Sequence, residues 1–240
     1  MLRFGLFVLS IAFPLSGCET NIPSPLPSEV KQATQSMHTQ MDKLNQALLA
    51  AATRGDNEAI VELLAEGADI NATDERGRTS AMIAVHTNQF AVFTLLIEKG
   101  ANINIRDDRS DNPLLYGSAE GMLDFVKASI AAGADTTITN RFGGTALIPA
   151  ADRGHVEIVK ELLTHSDVNV DHINHLGWTA LLEAVILGDG GTNHQEIVKL
   201  LLAHGANVNI ADHDGVTPLQ HAKRRGFREI TEALTLAGAK

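Results

Sequence analysis

Glycine-alanine pairs recur at one interval along most of this chain. Gly67-Ala68, Gly100-Ala101 and Gly133-Ala134 stand 33 residues apart, and Gly205-Ala206 and Gly238-Ala239 repeat that spacing. Self-similarity at such a period means stacked copies of one small unit, each too small to bury its own apolar face and dependent on its neighbours. Two further positions keep the register. Asn71, Asn104, Thr137, Asn169 and Asn209 occupy one, and Thr79, Asn112, Thr145, Thr179 and Thr217 occupy the other. A threonine ahead of an apolar run caps a helix through its hydroxyl, and a proline just inside it, such as Pro218, lacks only an amide that would have no partner there. Ile60, Val61, Leu63 and Leu64 recur as Val92, Phe93, Leu95 and Leu96, then as Ile158, Val159, Leu162 and Leu163. They predict an apolar stripe on the second helix of each unit. The glycine that follows supplies a left-handed turn. All of these are structural residues.

At two stretches the sequence resembles the ankyrin family. They are Asp212-His213-Asp214-Gly215-Val216-Thr217-Pro218-Leu219 and Arg153-Gly154-His155-Val156-Glu157-Ile158-Val159-Lys160-Glu161-Leu162-Leu163. The resemblance covers Leu44 to Lys240 and implies an all-α repeat, an α-solenoid with β-turn fingers, stacked about six units deep. The implied repeats are about 44–73, 74–106, 107–139, 140–172, 173–211 and 212–240. Gly177-Trp178-Thr179-Ala180-Leu181-Leu182-Glu183-Ala184 and Gly188-Asp189-Gly190-Gly191 look like a subgroup found in bacterial ankyrin proteins.

Composition narrows the functional classes. Hydrophobic residues make up 44% of the chain and aromatic residues only 4%, which suits small interlocking helices better than a β-sandwich. The formal charge of −10 argues against nucleic acid as a partner. Cys18 is the single cysteine, so no intramolecular disulfide and no cysteine-based metal site can form.

The first residues carry an address. Arg3 precedes an apolar run from Phe4 to Leu15, and Ser16 and Gly17 lead into Cys18. This is the layout of a secretory signal peptide over 1–17. Leu15-Ser16-Gly17-Cys18 resembles the lipobox of bacterial lipoproteins, which implies acylation of Cys18, with palmitate among the chains, and export to the periplasm. Glu19, not aspartate, follows the cysteine, and the resemblance then points to the outer membrane more than the inner. Several acyl chains on one residue make a lasting anchor. Asn21-Ile22-Pro23-Ser24-Pro25-Leu26-Pro27 completes an extended linker over 18–27. A helix is expected over 28–43, capped by Ser28, with Val30, Met37, Met41, Leu44 and Leu48 at helical spacing for docking on the first repeat.

The departures from the period are the places to look for function. Repeat four ends Thr164-His165-Ser166-Asp167-Val168-Asn169 without the glycine-alanine pair, one residue short by register, and the finger from Asn169 to Thr179 counts ten residues where other fingers count eight. Five extra residues around Asp189-Gly190-Gly191-Thr192-Asn193 separate the helices of repeat five, a composition that favours a long flexible loop. That glycine run joins two helices and contains an aspartate, so it does not suit phosphate. His172 and His175 cluster without the helical spacing of a zinc motif, and His155 and His194 stand where the ankyrin pattern places a structural histidine. Glu183 replaces Ile83, Tyr116, Pro149 and His221 of the other repeats. A half-buried carboxylate there has a raised pKa unless paired, and either shapes the local structure or serves a site. No nucleophile stands beside a matching base, so a non-catalytic protein without cofactor is expected. An enzyme or metal protein built on Glu183, His172, His175 and His194 is the alternative of a different class.

The family resemblance implies a concave face of finger tips and first helices that binds a protein. By matching positions it would carry Arg76, Arg78, His86, Arg109, Asp111, Glu120, Arg141, Phe142, Asp152, Arg153, Trp178, Ile186, Leu187, Arg224 and Arg225. Tryptophan and arginine are the residues most enriched in interface hot spots, which makes Trp178, with Phe142, Ile186 and Leu187, the expected centre. A monomer that holds or inhibits a periplasmic protein, in one version as an immunity-type inhibitor, is the functional expectation.

Overall fold

The 33-residue register folds as six helix pairs. The computed structural model describes residues 28–240. In it α1 (Ser28–Arg54) pairs with α2 (Asn57–Ala65), α3 (Ser80–His86) with α4 (Phe90–Glu98), and α5 (Pro113–Ala119) with α6 (Leu123–Ala131). The last three pairs are α7 (Leu147–Asp152) with α8 (Val156–His165), α9 (Ala180–Ile186) with α10 (Thr192–Ala203), and α11 (Pro218–Arg225) with α12 (Arg228–Leu236). No strand occurs among the described residues, and one isolated bridge joins Thr73 to Thr79. The proposed leader, Cys18 and the proline linker lie outside the described residues.

The caps work as the sequence suggests at four of the five threonine or asparagine positions. Thr79 accepts from the Met82 amide, Asn112 from Leu115, Thr179 from Leu182, and Thr217 forms a capping box with Gln220. Thr145 does not cap. Its hydroxyl is buried without a partner, and the Ile148 amide instead donates to the Thr145 carbonyl, a tighter first turn that starts α7 one residue late.

The repeat unit proper is Thr39–Lys240. Its core follows most of the predicted stripe: Ile60, Phe93, Val126, Val159, Val198 and Ile230 come from successive second helices and are essentially inaccessible, whereas Val61 of the expected stripe is 42% exposed because it turns away from the neighbouring helices. Phe93 and Phe90 both pack on Phe125, with ring centroids 5.3 and 5.2 Å apart. Each stripe is covered by its own first helix and by the neighbouring repeat, so no unit buries its apolar face alone. The expected N-terminal stripe is corrected in part. Within the repeat unit Leu48 is fully buried and Leu44 packs on the same core, while Met41 is 46% exposed.

Repeat-to-repeat bonds fix the register and overturn one reading. The side-chain oxygens of Asn71, Asn104 and Asn209 accept from the amides of Asn102, Asp135 and Lys240 in the next unit, and Asn45 of α1 accepts from the Asp69 amide. In repeat five that position is Asp171, which accepts from the Asn207 amide, whereas Asn169 matches Asp69, Asn102, Asp135 and Asn207, each accepting from the amide two residues on. The finger therefore runs from Asp171 to Thr179, eight residues like the others, and is not lengthened. The preceding turn has one residue more than the others, not one fewer, with Ser166 extended after α8 and Thr136 donating to Asp167 at 2.6 Å.

Candidate functional site

Each finger is built on one side chain that accepts two backbone amides. Asp74 takes those of Arg76 and Arg78, Asp107 those of Arg109 and Asp111, and Asn140 those of Phe142 and Gly144. Asn174 takes those of Leu176 and Trp178. Fingers are also tied to each other, since the Asp108 amide donates to the Arg76 carbonyl and the His175 amide to the Phe142 carbonyl. Gly143 has φ +74°, and the His175 ring lies where a Cβ would stand, so glycine is required at that tip. The tips are thus held rigidly by backbone bonds.

Fingers and first helices enclose a cavity of about 550 Å³ that runs from repeat two to repeat five. Most residues of the expected face line it: Arg76, Arg78, His86, Arg109, Asp111, Glu120, Arg141, Phe142, Asp152, Arg153 and Leu187. Trp178, Ile186, Arg224 and Arg225 do not. Trp178 is half-buried, with its backbone closing the finger on Asn174. Of the expected centre, Phe142 and Leu187 line the cavity, and Trp178 and Ile186 lie outside its lining. Tyr116, Asn174, Leu176 and Glu183 also line the cavity. Of these Tyr116, Asn174 and Leu176 are new; for Leu176 its neighbours at the same tip position, Arg76, Arg109 and Phe142, give the signal that would have found it.

Two arginines of the face act as staples. Arg153 donates to the Ala119 carbonyl and to Glu120, both at 2.8 Å. Arg225, at the same register position in repeat six, donates to the carbonyls of Ile186 and Gly188. Each satisfies the free carbonyls at the end of the preceding first helix. Arg225 thereby pins the repeat-five insertion, which is held further by Gln195 to the Gly190 carbonyl and by Asp189 to the Gly191 amide. The loop is tied down and short, because Thr192 and Asn193 already belong to α10. Its expected length and flexibility are corrected accordingly.

Electrostatically the cavity has a cationic rim and a recessed acidic floor. Arg76, Arg109 and Arg141 are exposed and form no ion pair; Arg141 stacks over Phe142 at 4.7 Å. Arg78 is engaged by Asp74 at 2.6 Å. On the floor, burial raises the carboxyls of Asp111 and Asp152, with Asp107 adding to the effect on Asp111. Glu183 is 7% exposed and its acid is pushed up to about 7, first by burial and then by the Asp152 charge, against the lowering effect of Asn174. His86 is held below the usual histidine range by burial and by Arg78, and its ring packs on Tyr116 with centroids 3.9 Å apart.

The residues of the metal alternative are not brought together. His172 donates to the Gly143 carbonyl at 2.7 Å, and the His175 ring covers Gly143. His194 lies between Asp189 and the Asp152 carbonyl, and Glu183 faces Asn174. Among the described residues no three histidine, cysteine or acidic side chains converge as a metal site.

A stack of finger-bearing helical hairpins with an open lined cavity defines the class as a helical repeat scaffold. Ankyrin-repeat models match residues 27–107 and 114–212, and 191–235. The chain belongs to the ankyrin-repeat family. It is similar to the ankyrin repeat protein YahD of Escherichia coli, 44% identical over 191 residues that span 80% of this chain and 95% of that one. An ankyrin repeat domain from Acinetobacter baumannii superposes with a TM-score of 0.78 at 52% identity, covering 80% of this chain and 98% of the other. The ankyrin repeat domain of Bcl-3 does so with a TM-score of 0.73 at 26% identity, covering 81% and 86%. In the mouse B-cell lymphoma 3 protein homolog the match is 32% identical and spans 40% of that protein. Ankyrin repeats of this kind are generally non-catalytic modules for binding proteins.

Proposed function

We propose that this protein is a tethered binding module, exported through its leader, anchored by lipid on Cys18, and engaged through the cavity face with a periplasmic protein that it holds or inhibits. The observation that carries the binding part is the continuous cavity across four fingers, rimmed by exposed arginines that form no ion pair. Unpaired guanidinium groups and exposed apolar side chains on rigid backbone are the ingredients of an interface hot spot. The anchoring part is supported by the order Arg3, apolar run, Leu15-Ser16-Gly17-Cys18. Outer-membrane placement, supported by Glu19, and an immunity-type role are the finer versions of the same reading.

Two measurements test it. Cys18→Ser should move the protein from the membrane fraction to the soluble periplasmic fraction and abolish palmitate labelling; an unchanged distribution would sink the anchor. Crosslinking in intact cells should join the wild type, but not Arg109→Glu with Arg141→Glu, to one discrete protein. Equal crosslinking by both would reject the cavity face.

A further inference from the structure

The tips of successive fingers change character along the stack. Arg76 and Arg109 occupy the tip in repeats two and three, Phe142 beside Arg141 in repeat four, and Leu176 in repeat five, with Leu187 alongside. Phe142, Leu176 and Leu187 are 54%, 52% and 50% exposed. All of these residues line one cavity. Among its lining acids, Asp108 alone is exposed and outside an ion pair; Glu120 is held by Arg153, Asp107 is buried in its own finger, and Asp111, Asp152 and Glu183 are recessed. The accessible edge is thus cationic at one end and apolar at the other, in a protein whose formal charge is −10.

Length decides what can lie along it. Neighbouring units pack at the usual helix spacing of about 10 Å, so four successive tips span roughly 30 Å. A compact metabolite cannot reach both ends. A polypeptide in the polyproline II conformation advances about 3.1 Å per residue with three residues per turn, so every third side chain lies on one face and three residues match one finger. A segment of about ten residues then places every third side chain at a tip. The tips have rigid backbone, so their order in the binder is dictated, not induced.

From this juxtaposition we infer that the cavity takes an extended segment of a partner protein in which two acidic side chains, three residues apart, sit on Arg76 and Arg109, and two apolar side chains further along sit on Phe142 and on Leu176 with Leu187. Arg141 lies between the two halves and serves the boundary. The inference rests on the binding reading above and adds to it the chemistry of the partner. Opposite charge at the rim speeds encounter and fixes register, while the apolar half supplies desolvated area.

The test is a selection of phage-displayed random dodecapeptides on the immobilised full chain, followed by titration of the enriched peptides by fluorescence anisotropy. The expected peptides carry aspartate or glutamate at a three-residue interval and two large apolar residues beyond. Their affinity should fall at least tenfold for Arg76→Glu with Arg109→Glu, and also for Phe142→Ser with Leu176→Ser, and stay unchanged for Lys199→Glu on the outer surface of α10. Thermal melts of each variant separate lost binding from lost folding. Enriched peptides that are basic, or without acids, or the absence of any enriched peptide, would overturn the inference. Peptides lacking the pattern but sensitive to both double variants would leave the face in place and refute only the chemistry. Peptides insensitive to both would refute the face as well.

Discussion

Asn174 donates from its side-chain amide to Glu183 Oε1 at 2.7 Å, while its own oxygen accepts the amides of Leu176 and Trp178. In the next repeat the same two positions are Asp212 and His221, where His221 Nε2 donates to Asp212 Oδ2 at 2.7 Å. The pair thus exists in two polarities. An acid on the finger takes a basic partner on the helix, and an acid on the helix takes an amide on the finger. Asparagine at 174 supplies the N–H that the Glu183 carboxyl accepts, where an aspartate would set a second carboxyl against it with no N–H to give.

Glu183→Gln should flatten part of the pH dependence of stability. In the unfolded chain this acid titrates near 4.5 and in the folded protein near 7. Between those values the folded state keeps a proton that the unfolded state has lost, so its contribution falls as pH rises from 4.5 to 7 and stays low above. The displacement corresponds to at most about 3 kcal/mol. Glutamine has no proton to lose and still accepts from Asn174. The variant should match the wild type at pH 4.5 and exceed it by about 1–3 kcal/mol at pH 8, read from urea midpoints. An equal difference at both pH values would refute the assignment.

Asn174→Asp tests the polarity of the pair from the other side. The new carboxylate still accepts the finger amides, as Asp74, Asp107 and Asp212 do in theirs, but it loses the donor to Glu183. A loss of about 2 kcal/mol is expected at pH 8, since a buried group is left without its partner beside a like charge, and a smaller loss at pH 5, where Glu183 is protonated. Adding Glu183→His recreates the Asp212 and His221 arrangement and should recover most of the loss. Simple additivity of the two substitutions in a double-mutant cycle would show that the pair does not interact.

Much of this architecture was legible because it rests on position alone. Thr79, Asn112, Thr179 and Thr217 cap as their register requires, and the apolar stripe from Ile60 to Val159 is the core it promised. The finger of repeat five was misread because Asn169 and Asp171 are both short polar residues with a carbonyl oxygen, and matching residue types chose the wrong one. Counting eight residues back from Thr179 finds Asp171. The cavity residues on fingers two to four followed from register, whereas the stapling roles of Arg153 and Arg225 did not. Their partners, Ala119 and Gly188, lie 34 and 37 residues earlier in the chain, and only the stacking of one repeat on the next brings them within reach.

Ser110→Gly should stabilise the protein. Ser110 has φ +65° at the finger position where Gly77, Gly143 and Gly177 have φ between 72° and 78°. A side chain in the left-handed region costs roughly 1–2 kcal/mol, partly offset by the greater freedom of glycine in the unfolded chain. A net gain of about 0.5–1 kcal/mol is expected, seen as a higher melting temperature with an unchanged far-ultraviolet spectrum. Since Ser110 sits between Arg109 and Asp111 in the cavity rim, the gain should come with unaltered packing of the core. A lower melting temperature would mean that the serine makes this conformation favourable by means the backbone geometry does not reveal.

Asn104→Ala probes what joins one unit to the next. Asn104 accepts from the Asp135 amide at 3.0 Å across the interface between repeats. Its counterpart one unit later, Thr137, accepts no amide from the next repeat and bonds only within its own turn to Asp135. Removing the Asn104 oxygen deletes an inter-repeat bond worth about 1 kcal/mol, and in a linear array interface strength governs how cooperatively the units unfold. The variant should lose about 1 kcal/mol in urea unfolding, and its Asp135 amide should exchange with solvent at least fivefold faster. Thr137→Ala should cost less than 0.5 kcal/mol, because it breaks only an exposed local bond. If the two substitutions destabilise equally, the ladder of Asn71, Asn104, Asp171 and Asn209 is not what couples the repeats, and the apolar stripe must carry that coupling alone.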